Sequence, residues 1–201
     1  MEGVGDNDLL VAFDGTWAED THEKVRDDTV MSRLAREWPG HVLYVPGVGT
    51  RLGVLGRIFG GAFGLGGKGR VEEAEWGVEN WYEEHPDAKL YVAGWSRGGV
   101  YAHALSVAVQ ETIVPTLTLL LDPVPGPVVS RWWREGTVLG RVVCVKAQKP
   151  WNPLFARMRI EGPRVTTIAV PGASQRWVGT SHALTHLVRA LVAEGTRRRD
   201  R

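Results

Sequence analysis

With 201 residues, 43% of them hydrophobic, the chain is long enough to bury a good core and short enough to form a single domain, residues 1–201. A net charge of +1 supplies neither the basic face that a nucleic acid requires nor the field that steers a strongly charged substrate. The one cysteine, Cys144, excludes an internal disulfide, and the longest apolar stretch, Leu52 to Leu65, is broken by Arg57 and repeated glycines and so is no membrane span.

The first predicted strand, Leu9–Phe13, ends in Asp14-Gly15-Thr16-Trp17. An acidic loop follows, and Asp28 reads as the N-cap of a helix whose apolar face is Val30, Met31, Leu34 and Trp38, stopped by Pro39-Gly40. A second strand, His41–Val45, leads into Pro46-Gly47-Val48-Gly49-Thr50 and a glycine-rich loop, residues 53–69. Leu55, Ile58, Phe59 and Phe63 in that loop follow neither a helical nor a strand period. Apolar residues on a mobile backbone need something to cover, so the loop is expected either as a lid over an acyl pocket or as a segment packed permanently on the domain. The next helix, Arg70–Glu84, repeats Val71, Ala74, Val78, Trp81 and Tyr82 at 3.6-residue spacing until His85-Pro86 ends it.

A third strand, Lys89–Ala93, runs into Gly94-Trp95-Ser96-Arg97-Gly98, and a helix from about Val100 to Gln110 follows. A fourth, Thr116–Leu121, ends at Asp122 and breaks at Pro123-Val124-Pro125-Gly126. The fifth, Arg141–Ala147, carries no carboxylate at its end; the sixth, Val165–Val170, ends in Pro171-Gly172. The loop after it delivers His182 into a last helix with Ala183, Leu187, Ala190 and Leu191 on one face, and the basic end, 196–201, reads as a solvated tail. Strands that alternate with helices and are apolar almost throughout predict an α/β fold, a mostly parallel sheet of about six strands covered on both faces.

Strand, Gly-x-Ser-x-Gly and helix in succession form a nucleophile elbow, the turn that exposes a serine hydroxyl above an α/β-hydrolase sheet. Ser96 is accordingly expected as nucleophile rather than as a helix-start serine. A serine nucleophile needs a base, and the base needs a carboxylate to orient it; in this fold they follow in the order Ser, acid, His. Asp122, at a strand's carboxyl end, fits the acid, although a turn cap is its plainer role. His182, at the start of the last helix, fits the base better than His186 one turn on. The backbone amides of Arg97 and of Gly15 or Thr16 are the expected oxyanion donors, with Asp14 bracing their loop. Trp95, Trp132-Trp133 and the Trp151-Phe155-Met158 segment would line an apolar ester site or simply pack on the sheet. Lys68 is followed by Gly69 rather than Ser or Thr, which rejects a phosphate-binding loop, and His22, His41, His85 and His103 lack metal-ligand spacing, so neither cofactor nor metal is expected.

In order along the chain, Val11-Ala12-Phe13-Asp14-Gly15-Thr16-Trp17, Tyr44-Val45-Pro46-Gly47-Val48-Gly49-Thr50, the Gly60 to Gly69 loop, Gly94-Trp95-Ser96-Arg97-Gly98-Gly99 and Leu121-Asp122-Pro123-Val124 resemble an α/β-hydrolase family that includes the phospholipase effectors of bacterial type VI secretion. The resemblance covers about the first two thirds of the chain and implies Ser96 as nucleophile and Asp122 as triad acid. That family commonly carries a histidine just after a Pro-Gly at the end of the last strand, whereas here Ala173-Ser174 follow and the histidine comes later, as His182. The expected activity is hydrolysis of an apolar or lipid-like ester. Its rivals are a cell-envelope, mycolyl-type esterase and a catalytically idle hydrolase fold used for binding. The expected partner is a small-molecule or lipid ester, with transient contact to a membrane or envelope surface and no nucleic acid. No charged-then-apolar leader opens the chain, which points to the cytoplasm by default or to non-classical export.

Overall fold

A computed structural model describes residues 3–15, 20–21, 24–25, 28–47, 67–125, 136–148, 158, 160 and 162–199. Its strands are β1 (Leu9–Phe13), β2 (Asp20–Thr21), β3 (Lys24–Val25), β4 (His41–Val45), β5 (Leu90–Trp95), β6 (Leu117–Leu121), β7 (Arg141–Ala147) and β8 (Val165–Val170). The helices are α1 (Val30–Arg36), α2 (Gly67–Glu84), α3 (Arg97–Val109), α4 (Gln175–Thr180) and α5 (His182–Arg199).

Six strands form one sheet in the order β4-β1-β5-β6-β7-β8, and every neighbouring pair is parallel. In β1 all five residues are buried, Leu9, Val11 and Phe13 against α2 and α3, Leu10 and Ala12 against α1 and α5. Burial on both faces is what an uninterrupted apolar strand requires, and it explains why these strands lack polar alternation. The edge strand β8, by contrast, alternates half-buried with exposed positions.

The chain runs from β1 outward to β4 and then returns past β1 to β5, so the winding reverses between β1 and β5. Open α/β sheets bind their ligands in the crevice at that reversal, outside the carboxyl ends of the strands. Register places Phe13 beside Gly94, Trp95 beside Leu121, and Leu121 beside Val145, so Asp14, Ser96 and Asp122 follow one another along this edge.

Local differences from expectation have local causes. Thr29, not Asp28, caps α1: its hydroxyl accepts from Ser32 N–H while Ser32 Oγ accepts from Thr29 N–H, a capping box built on serine. Asp28 is drawn instead to Arg33 and Arg36. Helix α3 starts directly after Ser96, earlier than its apolar period suggests, and α4 is too short to show a period at all. No helix among the described residues is long and apolar enough to cross a membrane.

Candidate active site

Ser96 sits between β5 and α3 with φ 55° and ψ −122°, a conformation that costs a non-glycine residue roughly 1–3 kcal/mol. Its backbone is fixed from several sides: Ser96 N–H donates to Leu121 O at 2.8 Å, and Ser96 O accepts from Gly99 N–H at 3.0 Å and Val124 N–H at 3.1 Å. A Cβ at Gly94 would collide with the Gly98 carbonyl, and one at Gly98 with the carbonyls of Phe13 and Asp14. The two glycines therefore permit the close backbone crossing that lifts the serine out of the sheet. Arg97 follows as the first residue of α3, at the helix end where backbone N–H groups point out along the axis.

Asp122 stands at the end of β6, the next strand over, and is also in the left-handed region, φ 44°. It is buried; its N–H donates to Val145 O at 2.7 Å, and its Oδ1 accepts Ala147 N–H at 3.1 Å. Asp14, at the end of β1, is buried as well and accepts from Gly15 N–H at 2.7 Å, Thr29 Oγ1 and Tyr44 OH at 2.7 Å. It ties the ends of β1 and β4 to the cap of α1, the bracing role expected of it. The Gly15 amide, expected as an oxyanion donor, thus donates to the Asp14 carboxylate. Thr16, its alternative, lies outside the described residues, as do Phe59, Phe63, Trp132 and residues 53–66 of the expected lid.

The side chain on the Ser96 hydroxyl is Gln175, whose Nε2 donates to Ser96 Oγ at 3.1 Å. Gln175 opens α4, capped by Ser174 Oγ, which accepts Trp177 N–H at 3.2 Å. The elbow holds it a second time: Trp95 Nε1 donates to the Gln175 carbonyl at 3.3 Å. Trp95, expected to touch substrate, is a wedge, its indole lodged between Gly15 and Gly179, where either Cβ would overlap the ring. Sequence reasoning missed Gln175. The signal was there in Pro171-Gly172-Ala173-Ser174, a strand end followed by a capping serine.

His182 is placed elsewhere than expected. Its ring is exposed, with Nε2 3.5 Å from Asp28 Oδ2, and it hydrogen-bonds neither Ser96 nor Asp122. The cause is a clamp between α1 and the α4–α5 corner. Buried Arg33 donates through Nε to Thr185 Oγ1 at 3.0 Å, through one terminal nitrogen to Asp28 O and Oδ2 at 2.6 and 2.7 Å, and through the other to Thr180 O at 2.9 Å. Burial disfavours ionised Asp28, but the hydrogen bonds from Arg33 and Arg36 outweigh it and keep the carboxyl below its usual pKa of 3.8. His182 thus meets an anion on the surface, two residues beyond the carbonyl that Arg33 holds. His186, its rival, is exposed on α5.

Behind the elbow, the Arg97 side chain is buried near Tyr101, whose hydroxyl burial pushes up to about 12. Met158, expected at the site edge, is buried in the core, its N–H donating to Pro123 O at 3.1 Å. Among the described residues no group of His, Cys, Asp or Glu is gathered to hold a metal.

The fold matches solved structures, lipolytic and esterase enzymes among them. A metagenome-derived lipolytic enzyme of the LipS and LipT pair aligns with a TM-score of 0.62 at 10% identity, over 97% of this chain and 95% of its own. Carboxyl esterase 2 from Tuber melanosporum gives 0.56 at 12% identity, over 94% and 77%. An uncharacterized protein from Pseudomonas aeruginosa gives 0.54 at 14% identity, over 93% of this chain but 46% of the other, so this chain spans about half of that protein's length. Among curated protein sequences none matches. The family model described as "T6SS, Phospholipase effector Tle1-like, catalytic domain" matches residues 7–114, more than half of the chain and all of the elements from β1 through the elbow and α3. The chain therefore belongs to the family of Tle1-like phospholipase effector catalytic domains.

Proposed function

We propose that the protein is a hydrolase that attacks an apolar, lipid-like carboxylic ester with Ser96 and carries the acyl group on that oxygen. The observation behind this reading is the strained conformation of Ser96 at the winding reversal of the sheet, with buried Asp122 strained in the same sense on the neighbouring strand. A plain helix start has no need of a left-handed serine between two glycines that cannot carry side chains, and strain of this kind persists at sites that use it. The lipid-like substrate rests on the family, whose description names phospholipase effectors, and on lipolytic and carboxyl esterase structures with the same fold. Asp122 is the acid of the site, and the Arg97 amide at the start of α3 is its oxyanion donor.

A fluorophosphonate probe tests this reading, because it reacts with a hydroxyl only where the site favours attack on a tetrahedral centre. Ser96 should be the residue labelled, and Ser96→Ala should abolish both labelling and release of p-nitrophenol from p-nitrophenyl butyrate. Labelling elsewhere, or unchanged ester turnover in Ser96→Ala, refutes it. The Gln175 contact on Ser96 and the His182–Asp28 pair favour the second reading, a hydrolase fold that binds esters without turning them over. That reading requires Ser96 to stay unlabelled at every pH.

A further inference from the structure

The group in hydrogen-bond contact with the Ser96 hydroxyl is a carboxamide. Nε2 donates to Oγ at 3.1 Å, and with the amide turned over Oε1 would accept from it instead, with the same chemical consequence. Neither amide atom takes up a proton near neutral pH, so residue 175 orients the hydroxyl without being able to deprotonate it. The side chain that titrates in the neutral range is imidazole. Every described imidazole is engaged or placed elsewhere: His182 is on Asp28, His186 is exposed on α5, and His103 is buried within α3 with a hydrogen bond to the Gly136 backbone. His41 and His85 both stack on Trp81, each with ring centroids 4.0 Å from the indole, and His41 opens β4 at the end of the sheet remote from Ser96.

Position 175 is also well made for a proton acceptor. It is half-buried at the first turn of a capped helix, its backbone carbonyl is pinned by Trp95, and its side chain reaches Ser96 Oγ at 3.1 Å, within the range over which a general base works. Two consecutive residues of the elbow thus hold one residue, Trp95 by its backbone and Ser96 by its side chain.

Taking Ser96 as the nucleophile proposed above, we infer that Gln175 occupies the place of the general base, so that the residue at 175 sets both the rate and the pH dependence of acylation. With the described imidazoles placed elsewhere, solvent hydroxide removes the Ser96 proton as water. The Oγ electron pair then forms the new bond to the ester carbonyl carbon, the bond to the leaving oxygen breaks, and the departing alkoxide takes a proton from water. Gln175 keeps the hydroxyl in line throughout, and the scarcity of hydroxide at neutral pH limits the rate.

The test is the second-order rate constant for labelling of Ser96 by a fluorophosphonate from pH 5 to 10, in the wild type and in Gln175→His. The wild type should speed up about tenfold per pH unit with no plateau in the neutral range. Gln175→His, checked for native fold by circular dichroism, should label at least 100-fold faster at pH 7 and level off above a neutral-range pKa, the gain a general base commonly supplies. A neutral-range plateau already present in the wild type overturns the inference, and its disappearance in His182→Ala would identify the imidazole that had displaced the amide. A folded Gln175→His no faster than the wild type overturns it too. If Gln175→His does not fold, the wild-type profile decides alone. Failure of the nucleophile reading looks different: Ser96 then remains unlabelled in both proteins at all pH values, and this inference falls with it.

Discussion

The indole of Trp95 lies so close to Gly179 that a Cβ at 179 would overlap the six-membered ring, while the indole N–H donates to Gln175 O at 3.3 Å four residues earlier on the same short helix. Elbow and α4 are thus locked face to face, and the lock places Gln175 on Ser96. Gly179→Ala must push the ring or the helix aside. It should lower stability by about 1–3 kcal/mol, the usual cost of overpacking, and change the Ser96 labelling rate. Trp95→Phe removes the N–H together with part of the wedged indole's bulk and should cost about 1–3 kcal/mol. Urea unfolding of both variants checks this; a Gly179→Ala protein as stable as the wild type would show that the fit is looser than described.

The strain at Ser96 makes a second prediction, on stability alone. Glycine adopts φ 55° and ψ −122° without a side-chain penalty, so Ser96→Gly should raise the unfolding free energy by about 1 kcal/mol while abolishing labelling. The loss of the Gln175 contact opposes this gain but is only half-buried. A clear loss of stability would mean that the hydroxyl's contact outweighs the backbone strain.

The two strand-end carboxylates should separate by their partners. Asp14 accepts three hydrogen bonds that join β1, β4 and the cap of α1, so Asp14→Asn should cost about 1–3 kcal/mol in urea unfolding, with labelling following the folded fraction. Asp122→Asn keeps an acceptor for Ala147 N–H and should change stability less. If Asp122 is the acid of the site, its effect appears once an imidazole is present: in the Gln175→His background, Asp122→Asn should remove most of the gain in labelling rate, at least tenfold. An undiminished gain would remove Asp122 from the site.

Much of this was legible in the sequence, for physical reasons that differ by element. Strands β1, β4, β7 and β8 have the bounds expected of them, because a strand buried on both faces, or bounded by Pro-Gly, declares itself by composition. The elbow was legible because its glycines answer to backbone crossings that admit no side chain. The position of the base was not. Which residue of the 171–182 stretch reaches Ser96 depends on where α4 lies, and α4 is held by a tryptophan wedge and by the Arg33 clamp, both contacts between segments more than 75 residues apart. A helix of six residues has no period to betray it, so position along the chain favours His182 and gives no sign of Gln175.

Arg33 is the residue on which that corner depends. It is buried and bonds Asp28, Thr180 and Thr185 at once, a fork that lysine cannot reproduce. Arg33→Lys should cost about 2–4 kcal/mol, since it leaves buried acceptors unmatched. Asp28→Asn should cost under about 1 kcal/mol, because its carboxylate is largely solvated. The depressed pKa of Asp28 means that the small contribution of its charge is present at neutral pH and fades as pH falls below about 4. Equal losses in the two variants would show that the ion pair, rather than the guanidinium's bonds to the corner, holds α1 to α4.

The last prediction concerns His103, buried in α3 with its ring bonded to the Gly136 backbone. Burial drives its pKa down from 6.5 to about 4, more than the hydrogen bond raises it. Above pH 6.5 the ring is neutral in both the folded and the unfolded chain and does not affect their balance. Between 6.5 and about 4 only the unfolded chain binds the proton, so stability falls as pH falls, by a total on the order of 3 kcal/mol. Below about 4 both forms are protonated and the loss stops growing. Carboxylates add their own acid sensitivity, but chiefly under pH 5, so His103 should dominate the slope between 5 and 6.5. His103→Gln keeps a donor for Gly136 and does not titrate. Urea unfolding free energies measured from pH 5 to 8 should therefore slope in the wild type and run nearly level in His103→Gln. Parallel curves would show that the ring already takes its proton in the folded protein at pH 5.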